Sequence, residues 1–135
     1  MKITIETTVH APIEKVWKYW NEPQHIQNWC QASGDWHSPY AENDLKVGGR
    51  FKTVMAARDG SVSFDFGGVY TLVKDYNEIE YTLDDERLVS VSFQKSGEFI
   101  KIVQTFEPEN ENSPEMQKVG WQAILNNFKK YTEEN

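Results

Sequence analysis

One cysteine, Cys30, is all the sulfhydryl chemistry the chain has. No intramolecular disulfide can form, which fits the reducing cytoplasm. Positive charge is also scarce: fourteen Lys and Arg stand against twenty-one Asp and Glu, a formal net charge of −7. That balance repels phosphate backbones, and no basic stripe overrides it, so a nucleic-acid partner is not expected. Anionic membrane surfaces are disfavoured for the same reason. No stretch nears the ~18 apolar residues of a membrane span, so membrane insertion is not expected either. The first residues, Met1 to Glu6, alternate apolar and polar side chains as a strand does, unlike a signal peptide. Repeats, low-complexity tracts and linkers are absent, and 135 residues match one ordinary domain, taken here as 1–135.

Aromatic rings are plentiful instead: five Trp, six Tyr and seven Phe. Each ring buries on the order of 150–250 Å², so this number implies a large core or a ring-lined cavity. Residues 2–10 alternate with the strand period through Ile3, Ile5, Thr7 and Val9. Pro12 suits the first turn of a helix that carries Ile13, Val16, Trp17 and Trp20 at helical spacing, with Glu14 at its positive end. Pro23 opens a second short helix with Ile26 and Trp29 on one face. Residues 31–48 read as an irregular loop holding Trp36.

Four further strands and a last one follow, at 50–58, 61–75, 78–83, 87–95 and 98–107. Turns at Asp59-Gly60, Asp84-Asp85-Glu86 and Ser96-Gly97 separate most of them. Gly67-Gly68 reads as a bulge or bend. Asn112 or Ser113 can cap a final helix over 114–132, whose stripe is Trp121, Ile124, Leu125 and Phe128. The order β-α-α-β-β-β-β-β-α predicts an α+β helix-grip fold. A curved antiparallel sheet of about six strands wraps a long C-terminal helix, with two short helices after the first strand. Such a sheet leaves a gap beneath the helix.

Several segments carry a resemblance to a known family: HAPIEKVW at 10–17, DLKVGGRF at 44–51, ARDGS at 57–61, FDFGGVY at 64–70 and GWQAILNNF at 120–128. As a set, in this order, they resemble the activator of heat-shock-protein-90 ATPase homologue, C-terminal-domain-like family of the SRPBCC (START / Bet v 1-like) superfamily. The resemblance implies the helix-grip fold and a cavity between sheet and last helix. The family takes its name from a co-chaperone, which implies a chaperone partner and a link to stress response as one reading. Polyketide cyclases and lipid carriers share the superfamily, which implies an aromatase or cyclase as another. No catalytic residue is carried over from them.

Phe64 and Phe66, two apart, share one face of their strand. With Met55, Tyr81 and Phe93 they form either packed core or the concave wall of a cavity. Trp121, Leu125 and Phe128 face the sheet from the last helix, where Gly120 would let a strand approach. Trp29 and Trp36 flank the irregular loop as lid anchors or hydrophobic plugs. These ten residues are the candidate ligand-binding set, and a small, largely apolar molecule is the expected partner. Arg50 or Tyr81 would orient it. His10, His25 and His37 with Cys30 match no compact zinc spacing, so neither a metal nor another cofactor is expected. Asp65, His37 and Tyr81 are of catalytic type, but nothing in the sequence brings them together, and no nucleophile elbow, phosphate loop or dinucleotide fingerprint occurs. Binding is therefore favoured over catalysis.

Overall fold

A computed structural model describes the whole chain, Met1–Asn135. Strand β1 (Ile3–Val9) leads into helices α1 (Ile13–Asn21) and α2 (Pro23–Trp29). Six strands follow: β2 (Trp36–Asn43), β3 (Arg50–Ala57), β4 (Ser63–Lys74), β5 (Glu78–Leu83), β6 (Leu88–Ser96) and β7 (Phe99–Phe106). Helix α3 (Pro114–Glu134) ends the chain. All strand pairs are antiparallel, in the order β1-β7-β6-β5-β4-β3-β2.

The sheet thus has seven strands, one more than the sequence indicates, and Trp36 lies on a strand rather than in an irregular loop. β2 escapes a reading by pattern for a physical reason. It carries Pro39, which lacks the N–H that a central strand must donate, and its register with β3 slips between His37 and Tyr40. Both are tolerated because β2 is an edge strand. The expected bulge also moves. Gly67 and Gly68 pair regularly with Lys52 and Phe51, and the register of β4 against β5 shifts between Tyr70 and Leu72.

Alternation fixes the inner face. In β7, Ile100, Ile102, Gln104 and Phe106 are buried while their neighbours are not fully so. In β3, Phe51, Thr53 and Met55 follow the same rule. A side-chain period of two turns these sets toward the concave side. Across that side lies α3, begun by Ser113, whose Oγ accepts from the Met116 N–H at 3.2 Å, and by Pro114. Gln117 ties the helix to the preceding turn, donating to the Glu109 and Asn112 carbonyls and accepting from the Glu109 N–H. α3 packs along β1, and α2 packs along β2. The two ends of the curled sheet are therefore held by different helices.

Candidate functional site

The interior divides into a filled part and an open part. The filled part is a cluster of rings from α1, α2 and α3 over the middle of β6. Phe128 is fully buried, edge-on to Trp20 at 4.9 Å and to Trp29 at 5.0 Å between ring centroids. Phe93 meets Trp17 at 5.3 Å and Trp20 at 5.6 Å, also edge-on. T-shaped pairs at such spacings are favourable and leave no room between them.

The open part is a cavity of about 230 Å³ under the other half of α3. Fourteen of its twenty lining residues are hydrophobic. Trp29, Met55, Phe64, Phe66, Tyr81, Trp121 and Leu125 line it. Trp121 is held flat against Phe106, 4.0 Å apart and 6° from parallel, and Phe66 meets it edge-on at 5.8 Å. Phe51 continues the wall, edge-on to Tyr81 at 4.8 Å.

Three of the ten candidate residues lie elsewhere. Phe93 and Phe128 belong to the filled cluster, because α1 descends onto β6 and covers that stretch of the inner face. Trp36 stands outside, on edge strand β2, where its ring meets Phe64 at 5.8 Å. Phe64 is half exposed and, with Met55, Trp121 and Ile124, lines both the cavity and a shallow outer groove. Those four residues separate the cavity from the groove. Gly120 also faces the groove, and no strand approaches it: a Cβ there would meet nothing within 4 Å.

Polar residues complete the lining. The Tyr70 hydroxyl donates to Asn43 Oδ1 at 2.5 Å, Asn43 Nδ2 donates to the Asn21 carbonyl, and Asn21 Nδ2 donates to the Trp17 carbonyl. This chain ties the end of α1 to β2 and β4. Thr53, Gln104, Glu42 and Arg87 also line the cavity. Sequence reasoning missed them, although Thr53 and Gln104 carried a signal: each is a polar residue in the inward phase of an alternating strand.

Arg50 does not reach the cavity. It pairs with Asp84 at 2.7 Å on the surface. Arg87 reaches instead, held by Asp85 at 2.7 Å and by the Glu107 carbonyl. Asp65 points outward to Lys52 at 3.8 Å, His37 sits on β2 away from the lining, and only Tyr81 is inside. The three residues of catalytic type are not assembled. No three His, Cys, Asp or Glu side chains converge as metal ligands would.

Burial pushes the Cys30 thiol from 9.0 up to about 12, so it is a packed hydrophobe and not a nucleophile. Below pH 9.0 the thiol is neutral in folded and unfolded chains alike, and its contribution to stability is constant. As pH rises from 9.0 toward 12, the unfolded chain loses the proton first and stability falls. Burial raises Tyr81 and Tyr70 above the usual phenol value, which adds to the decline at higher pH. The urea midpoint should therefore drop steadily from pH 9 upward, and Cys30→Ala should delay the onset. A flat midpoint between pH 8.5 and 10.5 would contradict this burial.

The comparisons with known proteins fit this geometry. Residues 10–133 match the family model described as activator of Hsp90 ATPase homolog 1-like protein. The chain belongs to that family. Within the activator of Hsp90 ATPase homolog 1-like family, the AHSA1-like protein from Aeromonas hydrophila is 44% identical, with a TM-score of 0.93 over 99% of this chain and 93% of that one. A Cytophaga hutchinsonii protein is 62% identical, with a TM-score of 0.86 and the same coverage. A Chromobacterium violaceum protein at 22% identity shares the fold, with a TM-score of 0.88 over 100% of this chain and 99% of that one. No curated protein matches. Membership agrees with the SRPBCC superfamily and accounts for the α+β grip. No helix is long and apolar enough to cross a membrane.

Proposed function

We propose that residues 1–135 work as one cytoplasmic binding unit that takes up a small, largely apolar molecule between the sheet and α3. The observation that carries this reading is the cavity itself. Space of about 230 Å³ persists beside a ring cluster packed to contact, and most of its wall is hydrophobic. Interiors are otherwise close-packed, and unfilled apolar space costs dispersion contacts along its lining. Proteins of this fold family commonly bind hydrophobic ligands, which supports the same reading.

Size narrows the occupant. A cavity of roughly 150 Å³ accepts benzene, so about 230 Å³ scales to about nine non-hydrogen atoms. One or two fused rings fit. A long acyl chain or a multi-ring polyketide would have to extend past Phe64 and Trp121 into the outer groove. The dispersal of Asp65, His37 and Tyr81 weighs against an enzyme, since a base needs a partner to orient it.

Methyl-labelled NMR with toluene tests the proposal. Saturable shifts should appear at the methyl groups of Met55, Ile79, Ile124 and Leu125, which line the cavity, and calorimetry should give a negative heat-capacity change. Val119, exposed on α3, should not move. Shifts confined to surface methyls, or none at all, would refute the reading.

A further inference from the structure

Three side chains on the cavity floor stand out because they are polar, deeply buried and bonded to nothing else in the protein except, for Tyr81 and Gln104, each other. Thr53 is 4% exposed, Gln104 6% and Tyr81 7%. They come from β3, β7 and β5, and all three line the cavity. The hydrogen bonds that border the cavity run through Asn21, Asn43 and Tyr70 and leave these three out. The Gln104 amide is close enough to the Tyr81 hydroxyl to oppose the effect of burial on it. Sealed, unpartnered side-chain atoms do occur in this protein, at Asn21, Gln31 and Thr132. The polar atoms of Thr53, Tyr81 and Gln104 are not sealed in that way: they open onto the cavity.

Buried polar groups are normally paired, since leaving one unmet forfeits its hydration. Here three neutral groups, able together to donate and to accept, line one apolar space, and two of them, Tyr81 and Gln104, are neighbours. We propose that the cavity selects a compact, uncharged ring compound bearing one hydroxyl or carbonyl group, and that the neighbouring Tyr81 and Gln104 recognise that group. This inference rests on the cavity being a binding site, as proposed above. Two arguments favour a neutral ligand. Thr53, Tyr81 and Gln104 are neutral groups and carry no charge that could offset a ligand's. The two charged residues of the lining are already engaged, Glu42 by the Tyr40 hydroxyl at 2.7 Å and Arg87 by Asp85 at 2.7 Å, so a ligand's charge would be desolvated without a free partner.

The test compares toluene, p-cresol and benzoate, rings of similar size that are apolar, hydroxylated and anionic and that all lie within the capacity of the cavity. Without a hydrogen-bonding site, toluene should bind more tightly than cresol, because cresol gives up its hydration for nothing. With one, cresol should bind about tenfold more tightly than toluene, and benzoate should not bind detectably. Tyr81→Phe and Gln104→Leu should each weaken cresol about tenfold while leaving toluene within about twofold. Either change removes a group whose only protein neighbour is the other, so the loss of stability in the empty protein should be small; denaturant midpoints check this. Toluene binding as tightly as cresol, or variants that weaken both ligands equally, would overturn polar recognition while sparing the cavity. The anion binding most tightly would overturn neutrality and point to Arg87. If no ring compound binds, the proposed function fails as well.

Discussion

Phe128→Ala should destabilise the protein by roughly 3–5 kcal/mol, the range for a large ring removed from a packed core. Phe66→Ala should cost only about 1–2 kcal/mol, near the transfer value of a partly buried side chain. The two residues are chemically identical, and only their surroundings separate them. Phe128 is fully buried, with Trp20 and Trp29 edge-on at about 5 Å and the sheet beneath, so its removal leaves a void with no neighbour able to fill it. Phe66 is only partly buried, lines space that is already empty and touches Trp121 by an edge at 5.8 Å. Deleting it enlarges that space more than it creates a new one. Urea denaturation of both variants decides the matter, provided the slope is unchanged so that midpoints report stability alone. Equal losses would mean that the structure closes around Phe66 as tightly as around Phe128. The binding reading would then lose its physical basis.

That contrast also marks where the sequence stops being informative. Phe66 and Phe93 both sit in the inward phase of a strand, and alternation assigns both to the concave face. Which one meets open space depends on where α1 lands, and α1 covers β6 at Phe93 through Trp17 and Trp20. Local periodicity holds no information about that crossing. The same limit applies to Arg50 and Arg87. Each stands at the start of a strand, Arg50 after two glycines and Arg87 after an acidic turn, and only the sheet's curl decides that Arg87 reaches inward while Arg50 pairs with Asp84 outside.

Elements bounded by local chemistry were readable. Gly60 and Gly97 take positive φ in their turns, 78° and 61°, as the Asp-Gly and Ser-Gly pairs imply. Ser113 and Pro114 open α3 where a cap and a first-turn proline should. β2 was not readable, because Pro39 and the slipped register erase the alternation that identifies a strand. Thr53 and Gln104 were legible as inward polar residues, but alternation weighs hydrophobic side chains and passes over such exceptions. Those exceptions mark the place where the cavity can be specific.

Gly68→Ala should destabilise the protein by about 3 kcal/mol, the upper end of the overpacking range, whereas Gly120→Ala should stabilise it by about 1 kcal/mol. The added methyl group is the same and the sign is opposite. At Gly120 a Cβ meets nothing within 4 Å, so alanine supplies helix propensity without a clash. At Gly68 it would overlap the Thr82 carbonyl oxygen and lie 3.0 Å from Leu83 Cα, both on the backbone of β5. Backbone cannot rotate away as a flexible side chain would, so β4 and β5 must separate. Gly67 is confined in turn by the Phe51 carbonyl oxygen on β3, 2.8 Å from a Cβ placed there. Consecutive glycines therefore let β4 press against β3 on one side and β5 on the other, in the stretch from which Phe66 and Tyr70 line the cavity wall. If this close approach shapes the wall, Gly68→Ala should also weaken toluene binding in the fraction that remains folded, and Gly120→Ala should not. A Gly68→Ala protein with an unchanged midpoint and unchanged binding would show that the strands have slack there, and the source of the curvature would have to be sought at the register shift between Tyr70 and Leu72.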